Sequence, residues 1–389
     1  MKTAQATSRA EFGLLSALSL IGLSVVLIGL VIAPERTWPN VLLASVYVVG
    51  TALAGMVFLA FHYVTSAGWS VALKRVAESL ASTLPLGAVL ILLSLAGVGV
   101  LYEWSHADVV AADPLLQGKA GWLNVSFFVT RTVAYLVVWL LFLRMMIRVS
   151  RRQDTGDGPA ANRRSTVLSA FFIVAFIVTF SLAIFDWLMS LQPHWFSTMF
   201  AVYNFAGAFV SGLATITLLA ILLRRPGRPL AGVITENHLH DLAKLMLGFS
   251  TFWMYVWFCQ YMLIWYGNLP EEVTFFVARH KGAWGVLSVA NLLANWVIPF
   301  FALLPRGSKR SDSMLLRICV LFLVGRWLDL FVMIQPVFEP EAPRFGIWET
   351  APIVFAGILF VLLLRRNLGV VDLIPRGDPY LEESLQHHQ

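Results

Sequence analysis

The chain of 389 residues is 58% hydrophobic and only 13% charged, with a mean hydropathy of +0.76. Those values exclude a conventional soluble domain, and the apolar runs follow one another so closely that no separate soluble core has room. The net charge of +6 comes from Lys and Arg in short segments beside those runs, a membrane-topology pattern that argues against nucleic acid as a partner.

The amino terminus, MKTAQATSRAEF, leads into an apolar run from Phe12 to Ile32. That run is too long for a signal-peptide core and lacks a cleavage site, so it reads as a retained first span. A helix needs about 20 residues to cross about 30 Å of hydrocarbon. Ten runs reach that length, near 11–33, 40–64, 83–102, 123–148, 165–191, 197–223, 240–267, 283–304, 314–336 and 346–365. None shows the alternation of a barrel strand, and backbone groups in lipid need internal partners, so helices are the expected form. The prediction is an all-α integral membrane protein with about ten transmembrane helices in one polytopic domain, 1–389, bounded by membrane lipid.

Orientation follows from the loops. Lys2, Arg9, Lys74, Arg75, Arg151, Arg152, Arg163, Arg164, Arg224, Arg225, Arg228, Arg306, Lys309, Arg310, Arg365, Arg366 and Arg376 flank one side, 17 in all. The opposite side holds five: Arg36, Lys119, Arg279, Lys281 and Arg344. This bias predicts that both termini are cytoplasmic and that the number of spans is even. The opposite loops are acidic, with Glu103, Asp108, Asp113, Glu271, Glu272, Glu339 and Glu341. Trp104, Trp122, Trp187, Trp195, Trp265, Trp284 and Trp348 cluster at those ends, either as an interfacial belt or as a docking surface. The longest basic loop, RRQDTGDGPAANRRS, reads as flexible.

Polar residues inside the spans are the candidate sites. His62 lies near the basic end of the second span. No second buried histidine matches its depth, so a bis-histidine haem is not expected. The stretch FSLAIFDWLMSLQPHWFSTMFAVYNFAG, Phe180 to Gly207, carries Asp186 and His194 around a Gln192-Pro193-His194 turn. Asp186 falls about 21 residues into its run, roughly 30 Å along a helix. That depth puts it near the interface, as a solvated helix end or as a proton acceptor in an outward pocket. His194 is expected to be wet and able to titrate near neutral pH. Arg131, at matching depth in the fourth span, is a partner for Asp186.

In the seventh span Asp241 and Lys244 are spaced for a local ion pair. Trp253, Trp257, Tyr261 and Trp265 recur every four residues as an aromatic ridge, and Gln260 among them needs a partner. Asn291 and Asn295, four apart on the eighth span, read as interhelical glue. In the ninth, Arg326 and Asp329 are spaced to pair near mid-membrane, as a bundle clamp or as a proton-relay or ligand site.

At the Phe180–Gly207 stretch and again at FWMYVWFCQYMLIWYGNLPEE, the sequence resembles the ActF membrane subunits of alternative complex III. The short GRWLD segment, Gly325 to Asp329, agrees with this. That family, quinol:cytochrome c oxidoreductase, is related to the NrfD and polysulfide-reductase membrane subunits. The resemblance implies two four-helix bundles with two peripheral spans, in a bacterial inner membrane. It implies as partners a multihaem cytochrome, an iron–sulfur protein, an NrfD-like subunit and a monohaem cytochrome c, and beyond them a terminal oxidase. The haem and iron–sulfur clusters would lie in those partners.

With only Cys259 and Cys319, both in apolar runs, a CxxCH haem site, a four-cysteine cluster or a cysteine zinc site is ruled out. Any redox centre would then be bound through histidine or belong to another chain, and the resemblance implies that this chain binds no cofactor of its own apart from a quinone or menaquinone. Two other readings stay open. A secondary transporter would show matched Pro-broken helices, for which Pro299 and Pro352 are the candidates. A structural scaffold would use its polar pairs for packing alone.

Overall fold

The structure, a computed structural model, describes residues 9–154, 156 and 158–388. Those residues form helices and connecting turns without a strand. Among the described residues nine helical segments are long and apolar enough to cross a membrane, which is the architecture of a multi-pass α-helical membrane protein. They are Gly13–Ile32, Pro34–Val64, Gly68–Leu101, Val125–Gln153, Gly158–Leu191, Phe200–Leu223, Glu236–Gly267, Gly282–Leu303 and Ile347–Val370. The ninth of the ten predicted runs is also a helix, Asp312–Ile334. It falls outside that set because every membrane-length stretch of it carries three charges, Arg317, Arg326 and Asp329. Below, the helices keep the ordinal of their predicted span.

Several predicted boundaries move. The second span begins at Pro34, directly after Ala33, instead of near 40. Proline has no amide hydrogen to lose and suits the first helical turn, so the helix absorbs the expected loop. The loop holding Lys74 and Arg75 is also helical: Gly68–Leu73 and Lys74–Ala81 precede Leu84–Ser94, and both cations are buried. Most of the basic loop read as flexible is helical, because one helix runs to Gln153 and the next starts at Gly158. Lys2 lies outside the described residues.

The second and sixth spans are the most buried and pack on each other at the centre. Small residues allow the approach, the usual solution where lipid gives no hydrophobic drive between helices. A Cβ on Gly212 would lie 2.2 Å from the Ala54 methyl, and one on Gly50 would lie 3.1 Å from that of Ala208. Thr51 and Ser211 share a hydrogen bond of 3.2 Å across the same seam. Gly212→Leu is therefore expected to force the seam apart and leave little folded protein in detergent, as read by size-exclusion profile. A monodisperse, normally stable variant would refute this packing.

The second to fifth spans pack in succession, as do the sixth to ninth, while the first and tenth lie on each other and on the second. Arg36 at the start of the second span grips Glu349 at the start of the tenth, with Nε and Nη2 donating over 2.7 and 3.0 Å. From the sequence alone Arg36 reads as one of the five loop cations of the acidic side.

Most of the tryptophans expected at an outer surface are core residues instead. Trp104, Trp187, Trp195 and Trp284 are buried, and each indole donates inward, to Ser190 O, Thr132 Oγ1, Glu272 O and Glu339 O respectively. Trp122 and Trp265 remain exposed. A buried indole with one satisfied N–H is a packing element, which leaves little of the proposed belt.

Candidate functional site: two buried arginine–aspartate units at one end

The fifth and sixth spans join through the Gln192-Pro193-His194 turn, so the last turn of one and the first turn of the next lie at the same end, that of the acidic loops. Two buried ionic units sit there.

In the first, Asp186 in the last turn of Gly158–Trp187 is 0% exposed. The expectation of a solvated helix end is corrected, and its depth alone misled, because the folded third loop covers the helix terminus. Arg131 in the fourth span grips the carboxylate with two parallel bonds, Nε to Oδ2 at 2.9 Å and Nη2 to Oδ1 at 2.8 Å. The ion pair expected from matching depth is present. Tyr135 Oη donates to Oδ2 at 2.9 Å and Trp122 Nε1 to Oδ1 at 3.0 Å. The guanidinium lies over the Trp122 ring at 4.1 Å and over Phe127 at 4.3 Å. Four donors, two of them from one guanidinium, make this a strong charge-assisted site.

Asp186 and His194, expected as an outward pair, are not in contact. His194 is 54% exposed and bonds Asp113 Oδ2 at 2.6 Å, with Glu103 at 3.7 Å. The hydrogen bond from His194 holds the Asp113 carboxyl below its ordinary range. Lys119 donates to Pro193 O at 2.5 Å, and burial lowers its pKa. Above Asp186, a groove of about 450 Å³ opens outward between Trp122, Phe185, Met189, His194 and Phe196.

The second unit centres on Asp329, 1% exposed, with Arg326 at 3%. Arg326 Nη1 donates to Oδ2 at 2.5 Å. Tyr203 Oη donates to Oδ1, and Asn291 Nδ2 donates to the same oxygen at 3.1 Å. Arg326 Nη2 reaches Asn204 Oδ1 at 3.2 Å. Tyr203 belongs to the first turn of Phe200–Leu223, which moves the pair from mid-membrane toward the acidic end. Two glycines make the space: a Cβ on Gly207 would lie 2.7 Å from Arg326 Nη1, and one on Gly325 2.6 Å from Asn295 Oδ1.

Asn295 sits in a π-turn, Leu293–Val297, the kind of helix irregularity often found at functional sites. Its amide donates to Asn291 Oδ1 at 2.6 Å and to Gly325 O at 3.0 Å, the interhelical glue read from the sequence.

Asp329 and Tyr203 open onto a cavity of about 30 Å³, also lined by Trp257, Gln260, Arg279 and His280. That volume suits one or two waters, since each needs roughly 10–15 Å³ by the same measure. Gln260 Nε2 is buried there without a partner, so it is a polar group in want of a bound water. Trp257 and Tyr261 are stacked at 5.5 Å on this wall, whereas Trp265, further along the ridge, is exposed.

Arg279, which sequence reading had counted as a loop cation, is 4% exposed. It donates to Val332 O at 3.0 Å, Met333 O at 2.5 Å, Phe275 O at 2.8 Å and Gln192 Oε1 at 3.3 Å. It thereby caps the end of the ninth span and ties the Gln192 turn to the cavity. Burial without a carboxylate partner lowers its pKa to about 9, so it remains cationic at neutral pH.

The basic end holds the remaining candidates. His62 Nδ1 meets Phe58 O at 2.6 Å, and the ring packs 5.3 Å from Trp69. Asp241 pairs with Lys244 at 2.5 Å as expected, and also with His387 Nε2 at 2.6 Å. That second partner belongs to a folded tail not foreseen from the sequence. The tail also brings Asp378 to Lys74 at 2.8 Å, and Arg75 pairs with Glu78 at 2.6 Å and with Asp154. Neither unit at the acidic end touches this layer. Among the described residues no group of three His, Cys, Asp or Glu is arranged to hold a metal ion.

Two buried carboxylates held by arginine and tyrosine inside a helical membrane bundle define a protein with an intramembrane ionic site. No family model matches the chain, and no curated protein matches it.

Proposed function

We propose that this chain is a membrane subunit of a quinol:cytochrome c oxidoreductase of the alternative complex III kind, without a resident metal centre. It would lie in a bacterial cytoplasmic membrane with both termini on the cytoplasmic side. A multihaem cytochrome, an iron–sulfur protein, an NrfD-like subunit and a monohaem cytochrome c would carry the electrons. The helix pairings support two four-helix bundles, the second to fifth and the sixth to ninth spans, with the first and tenth peripheral. The acidic end would then face outward, where quinol oxidation releases its protons.

One observation carries this reading: the two Arg–Asp–Tyr units lie at the same end, one beside a water-sized cavity and the other beneath an open apolar groove. The groove falls within the usual size range of a small-molecule site, roughly 300–1,000 Å³. The Asp329 cavity is too small for a quinone ring. We therefore assign proton handling to Asp329, Tyr203, Gln260 and their waters, and headgroup docking to the groove beside Trp122.

The resemblance in the Phe180–Gly207 block and the absence of cysteine-based ligand sets support this division of labour. A secondary transporter would instead need broken helices at matched positions. The π-turn near Pro299 lies in the eighth span, whereas Pro352 lies inside the continuous helix Ile347–Val370.

Purification from native membranes in mild detergent tests the proposal. The expected preparation carries haem absorbance, several co-purifying chains and quinol:cytochrome c activity. A chain that purifies alone and drives solute uptake into liposomes would overturn it in favour of a transporter.

A further inference from the structure

Away from both ionic units, the fourth and fifth spans leave a groove of about 440 Å³ on their outer face near the basic end. Its wall is apolar: Met145 on one helix, and Val167 and Phe171 on the other, are all exposed. Its mouth is cationic, lined by Arg148, Arg163 and Arg164. Among the described residues no carboxylate lines it.

Depth fits this division. Arg148 lies little more than one turn from the end of Val125–Gln153, and Arg163 and Arg164 lie in the first two turns of Gly158–Trp187. Guanidiniums at that level sit among lipid headgroups, while Phe171, two turns deeper, reaches the acyl region.

Neither ionic unit at the acidic end includes Arg148 or Arg163. A cluster of guanidiniums above an apolar slot between two spans is complementary to one kind of molecule, an anion with a hydrocarbon tail. We propose that this groove is a binding site for an anionic phospholipid. In it Arg148 and Arg163 clamp the phosphodiester, and an acyl chain lies along Val167 and Phe171. Guanidinium is suited to phosphate by its planar, multidentate donor array. Basic pockets between spans on the cytoplasmic side are a recognised setting for such headgroups.

The test uses the full chain with whatever subunits co-purify, placed in nanodiscs of phosphatidylcholine alone or of phosphatidylcholine mixed with phosphatidylglycerol. Native mass spectrometry reads the retained lipid, and a thermal melt reads its effect. Wild-type protein is expected to keep phosphatidylglycerol through detergent exchange and to melt higher in the mixed discs. Arg148→Gln/Arg163→Gln is expected to weaken that retention, roughly fivefold for each arginine removed. Phe171→Ala is expected to shorten retention while leaving the headgroup preference intact.

Arg225→Gln/Arg228→Gln, at exposed positions in another basic loop, serves as the control and is expected to change nothing. Three results would overturn the proposal. They are equal loss in the control, displacement of the lipid by inorganic phosphate alone, and shielding of Arg148 and Arg163 from phenylglyoxal by a co-purified chain after delipidation.

Discussion

Asp329→Asn is expected to lower quinol:cytochrome c turnover by about 100-fold or more while the assembled complex keeps its mobility on a native gel. The size follows from the contribution of a positioned proton acceptor, typically 10²–10⁴-fold. The substitution keeps the shape of the side chain, so Tyr203 Oη and Asn291 Nδ2 can still donate to the amide oxygen in place of Oδ1. What is lost is the charge and the Oδ2 acceptor of Arg326 Nη1, and with the charge goes the group able to take a proton from water in the adjoining cavity. Arg326 retains Asn204 Oδ1 as a partner, so the cost to folding falls below that of truncation. Wild-type turnover in an intact complex would remove Asp329 from the proton route. Loss of assembly without any assembled but inactive form would reduce the unit to a structural clamp.

Arg131→Met should have the largest effect on stability of any single change at the two ionic units. It leaves the fully buried Asp186 carboxylate with only the Tyr135 hydroxyl and the Trp122 indole as donors. An ion left unpaired in such a site typically costs about 3–5 kcal/mol. It also removes the cation that lies between Trp122 and Phe127. The double variant Arg131→Met/Asp186→Leu removes both charges and should recover most of the loss, because an apolar pair of similar volume needs no counter-ion. Denaturant or thermal midpoints of the two variants decide the matter. A single variant as stable as wild type would mean that water, not Arg131, compensates Asp186.

Hydropathy alone located the helices, because each span needs a long apolar run whatever it packs against. The Arg131–Asp186, Arg326–Asp329 and Asp241–Lys244 pairs were also legible. Two come from spacing within one helix, and the third from depth in neighbouring spans. What stayed hidden depends on tertiary cover. Asp186 lies at a helix end, where composition predicts water, yet Trp122 and the folded third loop seal it. Arg279 looks like a loop cation until the amphipathic helix Pro270–His280 is laid against the end of the ninth span. Tyr203 could have been suspected only as the polar aromatic in the first turn after the Gln192-Pro193-His194 turn. The tryptophans misled for a related reason: residue type marks the interface, but only the fold decides whether the ring faces lipid or core.

The tail that brings Asp378 to Lys74 and His387 to Asp241 has a consequence for biosynthesis. Residues 371–388 are made after every long helix of the bundle, the last being Ile347–Val370. Until then Lys74, in the second-to-third connection, lacks Asp378, and Asp241 lacks His387. Ser384, which donates to Trp69 O at 2.6 Å and accepts from Ala72 N at 3.0 Å, cannot yet cap that turn. Closure of the basic end therefore follows synthesis of the last long helix. A chain cut short of residue 378 would hold every helix down to Ile347–Val370 yet stay unlatched, a natural substrate for membrane quality-control proteases.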